Sequence, residues 1–147
     1  MLIIMVVIFI FSQMPGDESG QTSGKLLEEV VRIVENITKH GMSDTAIDNL
    51  HWVIRKLAHF CEFGAFGITI VYAFVNLISK RWFLFVLSEV IAFVYALSDE
   101  FHQHFIPGRY MSMGDVLIDS SGALLGIIFS FLWLKILLKR RKKHEKV

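Results

Sequence analysis

A run of polar and ionisable residues between two long apolar segments is the part of this chain that could do chemistry. Its charged, amide and imidazole side chains are Asp99, Glu100, His102, Gln103, His104, Arg109 and Asp115. Such groups are costly to bury against hydrocarbon. We therefore expect them to face one another, a ligand or water rather than lipid.

Two neighbouring segments carry polar residues at helical spacing. Lys56, His59 and Glu62 recur every third residue, which places them on one face of a helix. Further along, Asp115 and Asp119 are four residues apart and lie on one stripe with Gly122 and Gly126. If three antiparallel helices meet at these ends, their polar groups converge in one pocket.

This convergence defines the candidate site. Catalytic roles, of the general acid–base kind, fall to His59, Glu62, Asp99, Glu100 and Asp115. Roles in holding a ligand fall to Lys56, Gln103, Arg109 and Asp119. Asp99 and Glu100 are adjacent and point to different sides of a helix, so at most one is expected to face the pocket centre while the other caps a helix or meets solvent.

A structural interpretation of the same residues stays open. His59 and Glu62 could pair with each other or with Lys56, and Arg109 could anchor to lipid or hold Asp99 or Asp115. The remaining polar residues are weaker candidates: His102 and His104 are typical of exposed loop ends, and Glu89 has no evident partner. Gly122 and Gly126 are typical of close helix packing.

The sequence does not identify a reaction. It contains no zinc-protease motif, no nucleophile elbow and no glycine-rich phosphate loop. Carboxylates and imidazole suit several divalent ions, so metal binding is chemically allowed, although the spacing matches no standard site. No cofactor is evident, and whether the protein is an enzyme stays open.

The composition is that of a membrane protein. Of 147 residues, 54% are hydrophobic, the mean hydropathy is +0.53, and soluble domains are usually less apolar. Cys61 is the single cysteine, so no intramolecular disulfide can form. We expect one all-α integral membrane domain over 1–147, with four transmembrane helices and an amphipathic helix on the outer face.

Hydrophobic and capping patterns place these helices. The predicted helices cover 1–13, 25–40, 46–78, 82–105 and 113–138, and a basic tail follows at 139–147. Residues 16–24 are predicted to form a linker, and Gly41 is predicted to end the amphipathic helix. Capping boxes that begin at Thr45 and Ser112 predict the starts of the next helices. The first apolar run is short for a span, so it either thins the bilayer or starts upstream; it lacks the basic flank of a signal peptide.

The distribution of charge predicts the orientation. Basic residues cluster at Lys80–Arg81 and in the tail, whereas residues 13–50 carry more acids than bases. The positive-inside rule then places both termini and the Lys80–Arg81 turn in the cytoplasm, and the polar motifs outside. The tail is interpreted as an anchor on anionic lipid rather than a nucleic-acid site.

Four motifs in order resemble the VanZ-like family of bacterial membrane proteins. They are Phe11–Gly16 with Ser19 and Ser23, Arg55–Phe63, Ser98–Arg109 and Asp115–Gly126. The family's motif residues correspond to Lys56, His59, Glu62, Asp99, Glu100, Gln103, Pro107, Gly108, Arg109, Asp115 and Asp119. Two positions depart from the pattern: Phe11 stands where a first serine is usual, and Asp119 stands where asparagine is frequent.

The resemblance implies a multi-pass protein of the bacterial cytoplasmic membrane, whose namesake is associated with low-level resistance to the glycopeptide teicoplanin. The expected function is to act on or bind a cell-envelope component, which could be an envelope lipid, a cell-wall precursor or the glycopeptide. In the alternative, the protein is a non-catalytic module that binds a lipid headgroup or a protein, and its polar motifs are structural pairs between helices. Two copies could pair through the glycine stripe.

Overall fold

Five helices form the regular structure of the described residues. The computed structural model describes residues 1–13 and 16–144, and for 16–23, 25–26 and 141–144 only the backbone. The helices are α1 (Leu2–Ser12), α2 (Gly16–Thr38), α3 (Asp44–Phe74), α4 (Arg81–Gln103) and α5 (Met113–His144). Met14 and Pro15 of the first motif, and residues 145–147 of the predicted tail, lie outside the described residues. The predicted all-α class is confirmed.

Three of the helices are long and apolar enough to cross a membrane. These candidate spans are Asp44–Phe74, Arg81–Gln103 and Met113–Arg140. The helix α1 is also apolar but has 11 residues, which at about 1.5 Å per residue cover roughly half of a hydrocarbon core about 30 Å thick. Four spans are therefore not confirmed, and the fold is three candidate spans with a shorter apolar helix.

The helices α3 and α5 pack backbone against backbone. A Cβ atom built on Gly126 would lie 2.0 Å from the carbonyl oxygen of Gly64, and one on Gly122 would lie 2.2 Å from that of Phe60. The predicted role of these glycines in close helix packing is confirmed. Because α3 covers this stripe, it does not offer the surface that we expected for pairing two copies.

The short helix α1 lies along the half of α4 that leads to the polar run. Ile8 is buried in the main apolar cluster with Phe63 and Phe66 of α3. The hydroxyl of Tyr95 donates a hydrogen bond to the carbonyl oxygen of Met5 (2.7 Å). These contacts place Ser12, the last residue of α1, beside the end of α4.

The helix α2 differs from its predicted bounds at both ends. It starts at Gly16, so the segment 16–24, predicted as a linker, is helical; glycines cost a helix only about 1 kcal/mol each and do not stop it by themselves. It ends at Thr38 rather than Gly41, because Lys39 adopts the left-handed conformation (φ 58°). The carboxylate of Glu35 then accepts a hydrogen bond from the backbone N–H of Met42 (3.0 Å).

The starts of α3 and α5 also differ from the predicted capping boxes. Ser43, not Thr45, caps α3, and its hydroxyl oxygen accepts a hydrogen bond from the N–H of Ala46. At α5 the backbone of Ser112 begins the helix as predicted, since its carbonyl accepts from the N–H of Asp115 (3.0 Å). However, the carboxylate that binds the N–H of Ser112 belongs to Glu100 of α4 (2.8 Å), so a residue distant in sequence completes this cap.

The connections define two ends of the bundle. The chain reverses after α4 at Pro107–Gly108, where Gly108 has a φ of 78° and the N–H of Arg109 bonds to the carbonyl of Ile106 (3.1 Å). This agrees with the predicted type II turn. At the opposite end α3 stops at Phe74, four residues before the predicted bound, and α5 continues to His144, so part of the predicted tail is helical.

Candidate functional site

A cavity of about 390 Å³ opens where the start of α5, the end of α4 and the middle of α3 meet. We call it the outer cavity. Its lining residues are Trp52, Arg55, Lys56, His59, Gln103, Gly108, Arg109, Tyr110, Ser112, Gly114, Asp115 and Ile118. Five of the nine predicted site residues are among them: Lys56, His59, Gln103, Arg109 and Asp115.

Lys56 and Asp115 connect two walls of the outer cavity. The ammonium group of Lys56 forms an ion pair with Asp115 Oδ2, and it lies 5.7 Å from the ring centre of Trp52. The two charged side chains are 13% and 24% exposed. This pair joins α3 to the first turn of α5, and it neutralises the carboxylate that lines the cavity among the described residues.

Asp99 lies behind the cavity in a buried hydrogen-bonded group. Its Oδ2 accepts hydrogen bonds from the hydroxyl of Ser12 (2.8 Å) and from the side-chain amide of Gln103 (2.7 Å). Ser12 is fully buried, and Asp99 and Gln103 are 4% and 5% exposed. The group ties α1 to α4, and Gln103 is the member that reaches the cavity.

Glu100 is also buried, at 2% exposure, and it points away from Asp99 to the start of α5. The prediction that the two adjacent carboxylates would diverge, with one serving as a cap, is confirmed. Neither carboxylate lines the outer cavity. Both are positioned to hold helices in place next to it.

Glu62 and Asp119 do not reach the outer cavity, contrary to the predicted pocket. Glu62 follows the lining residue His59 by about one turn, which places it roughly 5 Å deeper along the axis. Asp119 directly follows Ile118, which does line the cavity, so depth alone does not exclude Asp119. Asp119 is 1% exposed and neither of its oxygens has a hydrogen-bond partner among the described residues. It is thus a buried carboxylate outside the cavity lining.

Arg109 is half-buried at the cavity wall. Its Nη2 donates a long hydrogen bond to the carbonyl oxygen of Phe11 (3.5 Å), and its Nε is buried and has no partner among the described residues. In the described part of the chain it forms no ion pair with Asp99 or Asp115, which was one predicted role. Burial, followed by the nearby charge of Arg55, lowers the pKa of Arg109. The carboxylates of Asp99, Glu100 and Glu62 act on this pKa in the opposite direction.

Three further polar residues occupy different surroundings. His102 belongs to α4 and stacks on Phe9 with ring centres 4.8 Å apart, so it is partly buried rather than exposed as predicted. His104 is exposed, as expected. Glu89 lies midway along α4 with one buried oxygen that lacks a partner among the described residues. None of the three lines the outer cavity.

The described residues contain no group of three or more His, Cys, Asp or Glu side chains that could hold a metal ion. His59 lines the cavity, and its buried Nδ1 has no hydrogen-bond partner within the described part of the chain. The carboxylate of Asp99 is near enough to interact with the imidazole electrostatically. The catalytic and binding roles assigned from the sequence stay predictions.

The sequence reasoning missed several contributors. Ser12 was not selected as a site residue, although it is the first polar residue after an apolar run and therefore had a recognisable signal. Arg55, Trp52 and Tyr110 also line the cavity. Their polar and aromatic character was visible, but only the packing of α3 on α5 decides which of them face inward.

The sequence matches a known protein family over most of its length. The family model described as VanZ/LLP1 matches residues 1–135. No matching curated protein or solved structure was found. Because the family match extends over all but the last 12 of the 147 residues, the chain belongs to the VanZ/LLP1 family and is a multi-pass membrane protein.

Proposed function

We propose that this protein binds an anionic component of the bacterial cell envelope in the outer cavity. The observation that carries the proposal is the charge of the lining. Arg55, Lys56 and Arg109 contribute three cations, whereas Asp115 is the carboxylate that lines the cavity among the described residues. Since Lys56 is already paired with Asp115, Arg55 and Arg109 are the lining cations that form no ion pair among the described residues.

The geometry of Arg109 favours a phosphate or a carboxylate as the bound group. A guanidinium offers two parallel N–H donors to such an anion. Here the backbone carbonyl of Phe11 accepts one long hydrogen bond, and the Nε has no partner among the described residues. The negative charge of an anion in the cavity would also offset the desolvation that lowers the pKa of Arg109.

The size and rim of the cavity suit the polar end of an amphipathic molecule. About 390 Å³ lies within the range of roughly 300–1,000 Å³ that is usual for small-ligand sites. Trp52 and Tyr110 are exposed at its edge, and such aromatic side chains prefer the boundary between hydrocarbon and water. A headgroup bound at Arg109 could thus keep its apolar part in the membrane.

The side of the membrane follows from the basic residues at the other end of the bundle. Lys80, Arg81, Lys139 and Arg140 lie there, and the positive-inside rule assigns that end to the cytoplasm. The outer cavity and α2 then face the outside of the bacterial cytoplasmic membrane, where glycopeptides act. A reporter fused after Val147 that is active only outside the cytoplasm would contradict this orientation.

Binding without turnover is favoured over catalysis. A His-based acid–base mechanism is aided by a hydrogen bond that orients the imidazole, as the carboxylate of a catalytic triad does. Among the described residues, Nδ1 of His59 has no partner, and the carboxylate of Asp99 is engaged by Ser12 and Gln103. His59 is therefore better suited to donate a hydrogen bond to a bound anion.

The direct test uses pyrophosphate as a soluble anionic probe. We would titrate the purified protein in detergent, with Trp82 and Trp133 replaced by phenylalanine, and follow the fluorescence of Trp52 in the cavity. Loss of one charge-assisted contact corresponds to about 1.5–3 kcal/mol, so Arg109→Gln should weaken binding by at least tenfold. The matched control is Arg32→Gln, which removes an exposed arginine of α2. Equal affinities for the three proteins would refute the proposal.

The cellular test compares envelope lipids and cell-wall precursors in cells that make the wild type, Arg109→Gln or Arg32→Gln. We expect one anionic species to change with the wild type and with the control, but not with Arg109→Gln. Teicoplanin susceptibility, measured on the same cells, should follow the same pattern. An effect that persists in Arg109→Gln at equal membrane expression would separate the phenotype from the cavity.

A further inference from the structure

A second and larger cavity lies at the opposite end of the bundle. It has a volume of about 880 Å³ and lies between the turn after α3, the start of α4 and the last turns of α5. The apolar side chains of Leu84, Phe131 and Leu134 form its less exposed walls. We call it the basal cavity.

A smaller cavity of about 390 Å³ adjoins the basal cavity on the other side of Arg81. Arg81 and Phe131 line both cavities, and Trp82 and Lys135 line the smaller one. Arg81 thus stands between two furrows whose walls are largely apolar. Both furrows lie on helices that cross the membrane, so the hydrocarbon of a lipid can enter them from the side.

The charged groups at these two cavities are all cationic. Arg81 and Arg140 line the basal cavity and are exposed, and Lys135 lines the smaller cavity. No carboxylate lines either cavity among the described residues. Within that part of the chain the side-chain ion pairs are Arg32–Glu29 and Lys56–Asp115, so none of these three cations has a carboxylate partner among the described residues.

We propose that the basal cavity and its neighbour form a binding site for one anionic diacyl phospholipid. Its phosphate lies between Arg81 and Arg140, and one acyl chain occupies each furrow. A phosphate joined to two apolar chains matches Arg81, which has an apolar furrow on each side, together with Arg140 at the larger furrow. Basic residues at the membrane surface attract anionic lipid, and the exposed Asn76 and Ser79 add hydrogen-bonding groups beside the phosphate.

This site is separate from the outer cavity. It shares no lining residue with that cavity, and it lies at the other end of α4 and α5. The proposal therefore does not rest on the proposed function, and either can fail alone.

Native mass spectrometry of the purified chain tests the site. The protein in nonionic detergent is mixed with phosphatidylglycerol and phosphatidylcholine of identical acyl chains, and we expect the anionic lipid to be retained preferentially. The double variant Arg81→Gln/Arg140→Gln should weaken retention of phosphatidylglycerol roughly 30-fold, as expected for two charges at the membrane surface. Circular dichroism checks that both proteins are equally helical.

The matched control is Lys80→Gln/Lys139→Gln, which removes two charges at adjacent positions that line neither cavity. It should keep the preference, and the charge-preserving pair Arg81→Lys/Arg140→Lys should keep most of it. Equal retention of the two lipids by the wild type would overturn the proposal. An equal loss of phosphatidylglycerol retention in the Lys80→Gln/Lys139→Gln control would also overturn it, because a diffuse surface charge would then explain the binding. Displacement of the lipid by inorganic phosphate would overturn it as well, because it indicates a site for a free anion.

Discussion

Alanine at Gly122 or Gly126 is expected to force α3 and α5 apart. The added Cβ would meet the carbonyl oxygen of Phe60 at 2.2 Å or that of Gly64 at 2.0 Å, whereas ordinary contact starts near 3.4 Å. The two helices would therefore have to move apart by about 1.2 Å at Gly122 and 1.4 Å at Gly126 to restore an ordinary contact distance of 3.4 Å. Because the opposing atoms belong to the backbone, no side-chain rotation can supply it.

The expected loss of stability combines two opposing effects. Overpacking costs about 1–3 kcal/mol, and the upper part of this range applies when backbone must move. Alanine in place of a helical glycine returns about 1 kcal/mol through its higher helix propensity. We therefore expect each single variant to lower the free energy of unfolding by about 2 kcal/mol.

Equilibrium unfolding in mixed micelles measures this difference, with helicity followed by circular dichroism as sodium dodecyl sulfate is added. Gly24→Ala is the matched control, since Gly24 also lies in a helix but a Cβ there meets no atom within 4 Å. The control should be as stable as the wild type or slightly more so. The stability of Gly64→Ala should lie between that of this control and that of the Gly122→Ala or Gly126→Ala protein, because the added Cβ would be 3.4 Å from the nearest atom.

The result that would refute this reasoning is a Gly122→Ala or Gly126→Ala protein as stable as Gly24→Ala. That outcome would mean that the two helices can separate by more than 1 Å at no cost. The glycine stripe would then not set the distance between Lys56 and Asp115.

Three further substitutions test the polar contacts around the outer cavity. Asp99→Asn should weaken the hydrogen bonds from Ser12 and Gln103 by about 1 kcal/mol in total. The backbone amides of α1 should then exchange hydrogen faster. Unchanged exchange rates would contradict a role of Asp99 in holding α1 against α4. Glu100→Ala should cost about 1–2 kcal/mol of unfolding free energy by leaving the N–H of Ser112 without its acceptor, whereas Glu100→Gln, which keeps an acceptor, should cost less. In a double-mutant cycle of Lys56→Met with Asp115→Leu, we expect a coupling free energy of about 1 kcal/mol, and strictly additive effects would show that the pair contributes nothing.

Several features could be predicted from the sequence because their cause is local. The apolar segments leading into Phe74 and Gln103 predict membrane helices through hydrophobicity alone, and Pro107–Gly108 predicts the turn through its backbone preferences. The spacing of Gly122 and Gly126 predicts close packing because glycine leaves one helix face without side chains. Helix ends were less predictable, since Lys39 rather than Gly41 takes the left-handed position.

The polar site shows where local reasoning stops. The spacing of Lys56, His59 and Glu62 places all three on one helix face, but only the first two reach the outer cavity. How deep a side chain lies depends on how far α5 slides along α3, which the glycine contacts fix. Likewise, the partner of the Ser112 N–H is Glu100, and no pattern within the start of α5 could indicate it.

The sequence alone identifies the polar run from Asp99 to Asp115, because hydropathy depends only on residue types. These residues are too polar for the apolar segments on either side of them. Only the tertiary structure shows that the residues of this run have different roles. It assigned Asp99 and Glu100 to buried contacts between helices, and it placed Arg109 at the cavity wall with a donor that has no partner among the described residues. The physical reason is that a charged group finds its partner through space, and those partners came from α1, α3 and α5.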